Sequence, residues 1–326
     1  PRSTPSNSSA ASDVYKRQQY VTGLSTNTQY TFDVKAKNGD DIETAFSPVK
    51  KKYTLANRPG APSLLNVGIT NITVDVNPNT NPYYTTYAVR INGGGIVNKY
   101  VQPGGTVAAT AIYQMDITWG KQYVTGLSTN TEYTFDVIAK NGDGIETVYS
   151  PISQRYTLAN IPAPPVLFDI GITSITLRIS PNDNPSGTVY AIRINGGDYD
   201  NEYVQIGGTI SPVALYRTRD SWSNQYIVGL ATNTQYTFDI KARNGNEVDT
   251  LYSMSSSTYT LSNIPGAPTL ENQGTTDMYI KVNSNTNPPD TIYALRINGG
   301  GYTNKYIQID GVIADVPVYQ TDMEWG

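Results

Sequence analysis

The 326-residue sequence contains neither cysteine nor histidine. Without cysteine there is no disulfide, no thiolate nucleophile and no sulfur-ligated metal. Without histidine the commonest general base and the commonest zinc ligand are missing. Charge of either sign is also scarce: 15% of residues are charged and the net charge is −4. No basic stripe of the kind a nucleic-acid surface needs is present, so no nucleic-acid partner is expected. No apolar run approaches the roughly 20 residues of a membrane helix. The lack of cysteine does not fix the compartment, because a β module of this size can build a core without disulfides. Phenylalanine is rare, five against 26 tyrosines, a ratio that suits half-buried sheets whose phenol hydroxyls stay wet.

What the chain does contain is repetition. GLSTNTEYTFDVIAKNGDG from Gly126 recurs as GLSTNTQYTFDVKAKNGD from Gly23 and GLATNTQYTFDIKARNGN from Gly229. Arg90, Arg193 and Arg296 stand in YAVRINGG, YAIRINGG and YALRINGG at the same period, as do Trp119, Trp222 and Trp325. Such a period signals tandem copies of one structural unit. Residues 58–160 and 161–263 are complete copies. Residues 19–57 correspond to the C-terminal half of a copy, and 264–326 to an N-terminal half. Residues 8–18 read, codon by codon, like a translated transposase-type sequencing adaptor, so residues 1–18 are set apart from fold and function.

Within residues 58–160 short apolar alternations predict seven or eight strands and no helix. Ile72, Val74 and Val76 alternate with Thr73 and Asp75; Tyr87, Val89 and Ile91 form the next strand. Tyr133, Phe135, Val137 and Ala139 face a core, while Thr134, Asp136 and Lys140 face outward. Asn141-Gly142-Asp143-Gly144 supplies the positive-φ residues of a tight hairpin. Pro151 falls in the predicted last strand, Val148 to Leu158, which fits an edge. The fold class is therefore all-β: tandem antiparallel sandwiches, two complete and two partial. The linkers around Pro59 and Pro62, Pro162 and Pro165, and Pro265 and Pro268 are short and proline-rich, predicting a semi-rigid string of copies.

The strand pattern, the Asn-Gly hairpin, the closing Tyr-Thr-Leu strand and the pairs Leu24/Tyr30, Leu127/Tyr133 and Leu230/Tyr236 together resemble the fibronectin type III domain. The three Leu/Tyr pairs resemble its tyrosine corner, in which the phenol bonds back to the turn backbone. The resemblance spans residues 19–326. The copy is longer than usual, and the tryptophan usual on the second strand is replaced by Val76, Ile179 and Val282. Trp119, Trp222 and Trp325 then have two readings: filling that core gap, or forming exposed platforms with Tyr113, Tyr216 and Tyr319. The pairs Tyr113/Trp119 and Tyr216/Trp222 are the candidate ligand contacts, suited to stacking on sugar rings. The Arg-Gly-Asp of some family members is absent, so integrin-type recognition does not carry over.

No catalytic residue, cofactor or metal site is expected. Asp33, Asp136 and Asp239 are predicted to pair with the recurring arginines as surface ion pairs contributing about 0–1 kcal/mol. Asn182-Asp183-Asn184 and Asp198-Tyr199-Asp200 are oxygen-rich but match no calcium loop. The resemblance implies an extracellular or cell-surface spacer or adhesion stalk with protein or surface-glycan partners. The alternatives are a carbohydrate-binding module, or accessory repeats of a secreted glycan-active enzyme or phage tail protein. The two half-copies are further expected to associate head to tail between molecules.

Overall fold

The computed structural model describes residues 19–272 and 274–325; the adaptor-like residues 1–18 lie outside it. The chain divides into two compact units. Of the described residues, 19–127 and 132–155 form one, and 128–131 and 156–325 the other.

The first unit begins with a two-stranded ribbon, β1 (Gln29–Phe32) and β2 (Lys50–Tyr53). Next come β3 (Gly60–Leu65), β4 (Asn71–Asn77), β5 (Thr86–Gly93), β6 (Ile96–Val101), β7 (Val107–Ala108), β8 (Gln114–Met115), β9 (Gln122–Thr125), β10 (Glu132–Lys140) and β11 (Ser153–Tyr156). Strands β3-β4-β9 form one antiparallel sheet. The order β11-β10-β5-β6-β7, with β8 beside β5, forms the other. Between them lies a core that includes Ile72, Val74, Val89, Ile91, Phe135 and Val137, all at most 1% exposed.

The second unit repeats this plan in β12 (Ala163–Phe168), β13 (Ser174–Ser180), β14 (Val189–Gly196), β15 (Tyr199–Val204), β16 (Ile210–Ser211), β17 (Arg217–Thr218), β18 (Asn224–Val228), β19 (Gln235–Arg243) and β20 (Ser256–Tyr259). Sheets β12-β13-β18 and β16-β15-β14-β19-β20 enclose the equivalent core. Beyond them β21 (Gly266–Asn272), β22 (Met278–Asn283), β23 (Ile292–Tyr293), β24 (Arg296–Gly299), β25 (Tyr302–Ile307), β26 (Ile313–Ala314) and β27 (Gln320–Thr321) form three small sheets. The alternation of apolar residues produces this pattern directly, since a strand sends successive side chains to opposite faces.

Three sequence-based expectations are corrected. First, helix is present: Asp116–Trp119, Arg219–Trp222 and Asp322–Trp325 each make one helical turn. The Thr218 hydroxyl caps the second by accepting from the Ser221 N–H at 3.3 Å. Four residues are too few to show helical periodicity. Second, the last strand is shorter than predicted, and Pro151 precedes it. There the Ser150 hydroxyl replaces a backbone carbonyl, accepting from the Val137 N–H at 2.9 Å. Third, the outward face of β10 is not exposed: Asp136 and Ile138 are 4% and 5% accessible.

Candidate functional site

The helical turns decide the fate of the tryptophans. Trp119 and Trp222, 1% and 2% exposed, join the cores beside Val76 and Ile179. Their indole N–H groups donate to the Tyr87 and Tyr190 carbonyls at 2.6 and 2.9 Å. Tyr113 and Tyr216, six residues earlier, lie half-buried on the outside of the large sheets. The predicted platforms Tyr113/Trp119 and Tyr216/Trp222 are therefore not assembled, because each tryptophan is spent on the interior. The free face of each tyrosine is also covered. The Lys140 ammonium sits 3.8 Å from the Tyr113 ring centre, and the Arg243 guanidinium 3.6 Å from that of Tyr216.

These tyrosines belong to a polar ladder across the large sheet. In the first unit Arg90 donates to both Asp136 carboxylate oxygens, at 2.9 and 2.5 Å, and stacks on Tyr149 at 3.7 Å. The Tyr149 and Tyr100 hydroxyls meet at 2.9 Å, and desolvation first, then that bond, pushes the Tyr149 phenol up to about 12. In the second unit Arg193, Asp239, Tyr252 and Tyr203 repeat the arrangement at similar distances. Burial works to raise the Asp249 carboxyl, but hydrogen bonds from Arg243, Tyr216 and Lys241 prevail and hold it well below the usual carboxylate range. The expected Arg–Asp pairs thus form at Asp136 and Asp239, though not at Asp33, and they are not surface pairs: the Asp136 and Asp239 side chains are only 5% and 6% exposed. Every carboxylate in this ladder is engaged by a cation. Among the described residues no group of three acidic side chains could hold a metal. The Asn182 and Asn184 amides are committed to backbone groups of Ile161, Asn160 and Pro181.

The tyrosine corner is formed in the first and the last of the three Leu/Tyr segments. The Tyr30 hydroxyl accepts from the Ser25 N–H at 2.8 Å, next to Leu24, and the Tyr236 hydroxyl from the Ala231 N–H at 2.9 Å, next to Leu230. Leu127 and Tyr133 are 4% and 1% exposed in the first core. These six residues shape the turn that carries the most distinctive site in the molecule.

That site is a seam of asparagines. In the first unit, Asn27 sits in the turn at φ 42° and is 1% exposed. Its amide donates to the Thr85 hydroxyl at 2.8 Å, while its amide oxygen accepts from the Gly142 N–H at 2.9 Å. Asn141 donates to the Thr54 carbonyl at 3.0 Å and accepts from the N–H groups of Asp143 and Ile145. The Tyr53 N–H donates to the Asp143 carboxylate at 3.0 Å. Gly142 lies on the Tyr53 ring so closely that a β-carbon would meet it at 2.4 Å, so only glycine fits.

The second unit contains the same atoms again. Asn130 donates to Thr188 at 2.7 Å and accepts from the Gly245 N–H at 3.0 Å. Asn244 donates to the Thr157 carbonyl at 3.1 Å, and the Tyr156 N–H donates to the Asn246 side chain at 2.7 Å. Asn160 and Asn184 exchange two further bonds, both at 2.8 Å. A third occurrence begins where Asn233 donates to Thr291 at 2.9 Å. Asparagine suits this place twice over, because it tolerates the left-handed conformation and offers both a donor and an acceptor. Sequence reasoning gave Asn27, Asn130 and Asn233 no role of their own. The available signal was a threonine always 58 residues ahead, at Thr85, Thr188 and Thr291.

No protein-family model matches the chain, and no curated protein matches it. Among solved structures it is similar to a two fibronectin type-III domain segment from chicken tenascin, at 15% identity and a TM-score of 0.38, covering 63% of this chain and 100% of that one. It is also similar to the chicken CNTN1 FN1-FN3 domains, at 15% identity and a TM-score of 0.26, covering 73% of this chain and 76% of that one. The chain's own strand order makes it an all-β protein of tandem antiparallel sandwiches.

Proposed function

We propose that the chain is a non-catalytic spacer, a run of β-sandwich copies in an extracellular or cell-surface protein, in which each copy is pinned to the next by the asparagine seam. The recurrence of the seam carries this reading. Equivalent donors and acceptors meet at Asn27 and at Asn130, and part of the set meets at Asn233. A hairpin whose tip was meant for a partner would leave that tip open. Here Asn141 to Asp143 and Asn244 to Asn246 are committed to the seam instead. The ladder on the large sheet likewise ties its carboxylates to neighbouring cations, which suits a scaffold rather than a reacting centre.

Because the sequence has no cysteine, two can be introduced and labelled without background. Val148 and Leu251 are exposed equivalents on successive copies, 69% and 76% accessible. With spin labels at V148C and L251C, the interlabel distance distribution of the full chain should be narrow. Asn130→Gly, which keeps the positive φ but deletes both side-chain bonds, should broaden it. A distribution already broad before the substitution, or unchanged after it, sinks the spacer reading.

A further inference from the structure

One place in residues 58–160 is built differently from its counterparts in the other copies. The turn between β4 and β5 and the start of the helical turn Asp116–Trp119 enclose a cavity of about 260 Å³, lined by Pro78, Pro82, Tyr83, Tyr87, Asp116 and Ile117. The prolines recur as Pro181 and Pro185, and the tyrosine of β5 recurs as Tyr190. The rest of the wall changes. Tyr83-Tyr84 gives way to Ser186-Gly187 and then to Pro289-Asp290, and Asp116-Ile117 to Arg219-Asp220 in the next copy.

Two of the lining side chains stand far out of the fold: Tyr83 is 79% and Ile117 82% exposed. Tyr84 meets the Tyr83 ring edge to face, with centres 5.2 Å apart and planes at 80°, a contact that limits how far the Tyr83 ring can swing. The Asp116 carboxylate is half-buried and has neither a hydrogen bond nor a cation among the described residues. Desolvation first, and then the charge of Asp75, push its carboxyl up. A carboxylate so placed gains from a cation that enters beside it. In the next copy both acids are gone, replaced by Arg219 and Arg178, so this demand belongs to residues 58–160.

The chemistry of the walls narrows the occupant. Calcium takes about six to eight oxygen ligands, and a carboxylate among prolines does not supply them. A sugar would find few partners, because the Asn81 amide is committed. Its nitrogen donates to the Asn57 and Pro78 carbonyls at 2.8 and 2.9 Å, and its oxygen accepts from the Asn57 N–H at 2.7 Å. Asp116 and Asp75 repel an anion. A primary ammonium brings three donors, yet the Tyr87 hydroxyl is turned to the Pro78 carbonyl, at 3.5 Å, which leaves the carboxylate as the available acceptor. The cation that suits these walls asks for no hydrogen bond. It sets methyl groups against Pro78, Pro82 and Ile117 and spreads its charge over an aromatic face.

We propose that this cavity binds a quaternary ammonium group, of the trimethylammonium kind carried by choline and by trimethylated lysine. Tyr83 is its aromatic face and Asp116 its counter-charge. The cavity is smaller than those that take drug-sized molecules, which fits a head group rather than a large ligand. The two prolines and the bonds of Asn81 fix the walls beforehand, so little of the protein has to be ordered on binding.

Choline chloride titrated into the full chain, with sodium chloride as the matched control, should give saturable binding by calorimetry. Ethanolamine, which carries a primary ammonium, and the neutral isostere with tert-butyl in place of trimethylammonium should each bind about tenfold more weakly or not at all. Tyr83→Ser and Asp116→Arg should each lower choline affinity about tenfold or more, and Tyr83→Phe should keep it, because the ring face and not the hydroxyl meets the cation. Tyr83→Ser should leave thermal unfolding unchanged, since that side chain is exposed. The tighter of choline and trimethyllysine identifies the source of the group. No saturable binding of either, ethanolamine or the isostere binding as tightly as choline, or an affinity that survives Tyr83→Ser or Asp116→Arg overturns the proposal. None of these results bears on the distance distribution between V148C and L251C, so the two readings fail separately.

Discussion

Replacing Trp222 by alanine tests whether the recurring tryptophan is a structural plug. The side chain is 2% exposed, packs in a core with Ile179, Ile192 and Ile227, and donates to the Tyr190 carbonyl at 2.9 Å. Removing a fully buried aromatic costs about 3–5 kcal/mol, through lost transfer energy and the cavity left behind. In a copy of about 100 residues each kcal/mol moves the midpoint by about 4–8 °C, so the loss is about 12 °C or more. Calorimetry of the full chain is the right assay, because several domains need not melt as one. The transition of residues 161–263 should fall while that of 58–160 stays, and Trp119→Ala should produce the reverse. Trp222→Phe should cost much less, about 1 kcal/mol for the hydrogen bond beyond a modest change in packing. A melting profile within a degree or two of the parent, with loss of binding on a glycan array instead, would refute the plug and restore the aromatic-platform reading.

Other outcomes follow from the ladder on the large sheet. Asp239→Asn leaves Arg193, 23% exposed, without its charge partner and should cost about 3 kcal/mol by chemical denaturation; a change near zero would return the pair to the surface class. The Asp249 carboxyl is held below its ordinary value, so its contribution is present above pH ~4 and is lost as pH falls toward the folded value. Asp249→Asn should therefore flatten the acid limb of a stability–pH curve, and an unchanged limb counts against the assignment. At the alkaline end, desolvation first and then bonds to Tyr100 and Tyr203 push Tyr149 and Tyr252 from 10.0 to about 12. Their contribution is complete below pH ~10 and disappears as pH rises through about 12. Tyrosinate absorbance in the folded chain should show a late group whose amplitude falls by two residues in Tyr149→Phe/Tyr252→Phe, the remainder including Tyr87 and Tyr190, which burial also pushes up to about 12.

Much of the fold was legible because a period of two is hard to mistake and was repeated at a constant interval. The sandwiches, the hairpins and the Leu/Tyr turns were all readable from residues such as Tyr133 to Lys140. The helical turn at Asp116–Trp119 was not, since one turn has no apolar stripe and Met115, which precedes it, offers no side-chain cap. Burial of Asp136 was also hidden. Its partner Arg90 lies under the ring of Tyr149, which comes from a segment predicted as strand that lies outside β11. The seam was hidden for a different reason. The local signal of Asn27 or Asn130 is fully explained by a turn, while the side-chain partners stand 58 and 115 residues away. Only the identity of the residues at those distances could have revealed it.

Apart from the peripheral Asp143, the seam is made of amides, hydroxyls and backbone groups. Neutral dipoles hidden from water feel little of what dissolved ions do, and with neither imidazole nor thiol nearby they have no switch that mild acid or a reductant could throw. Hydrogen bonds of this kind should keep their partners from fresh water to brine.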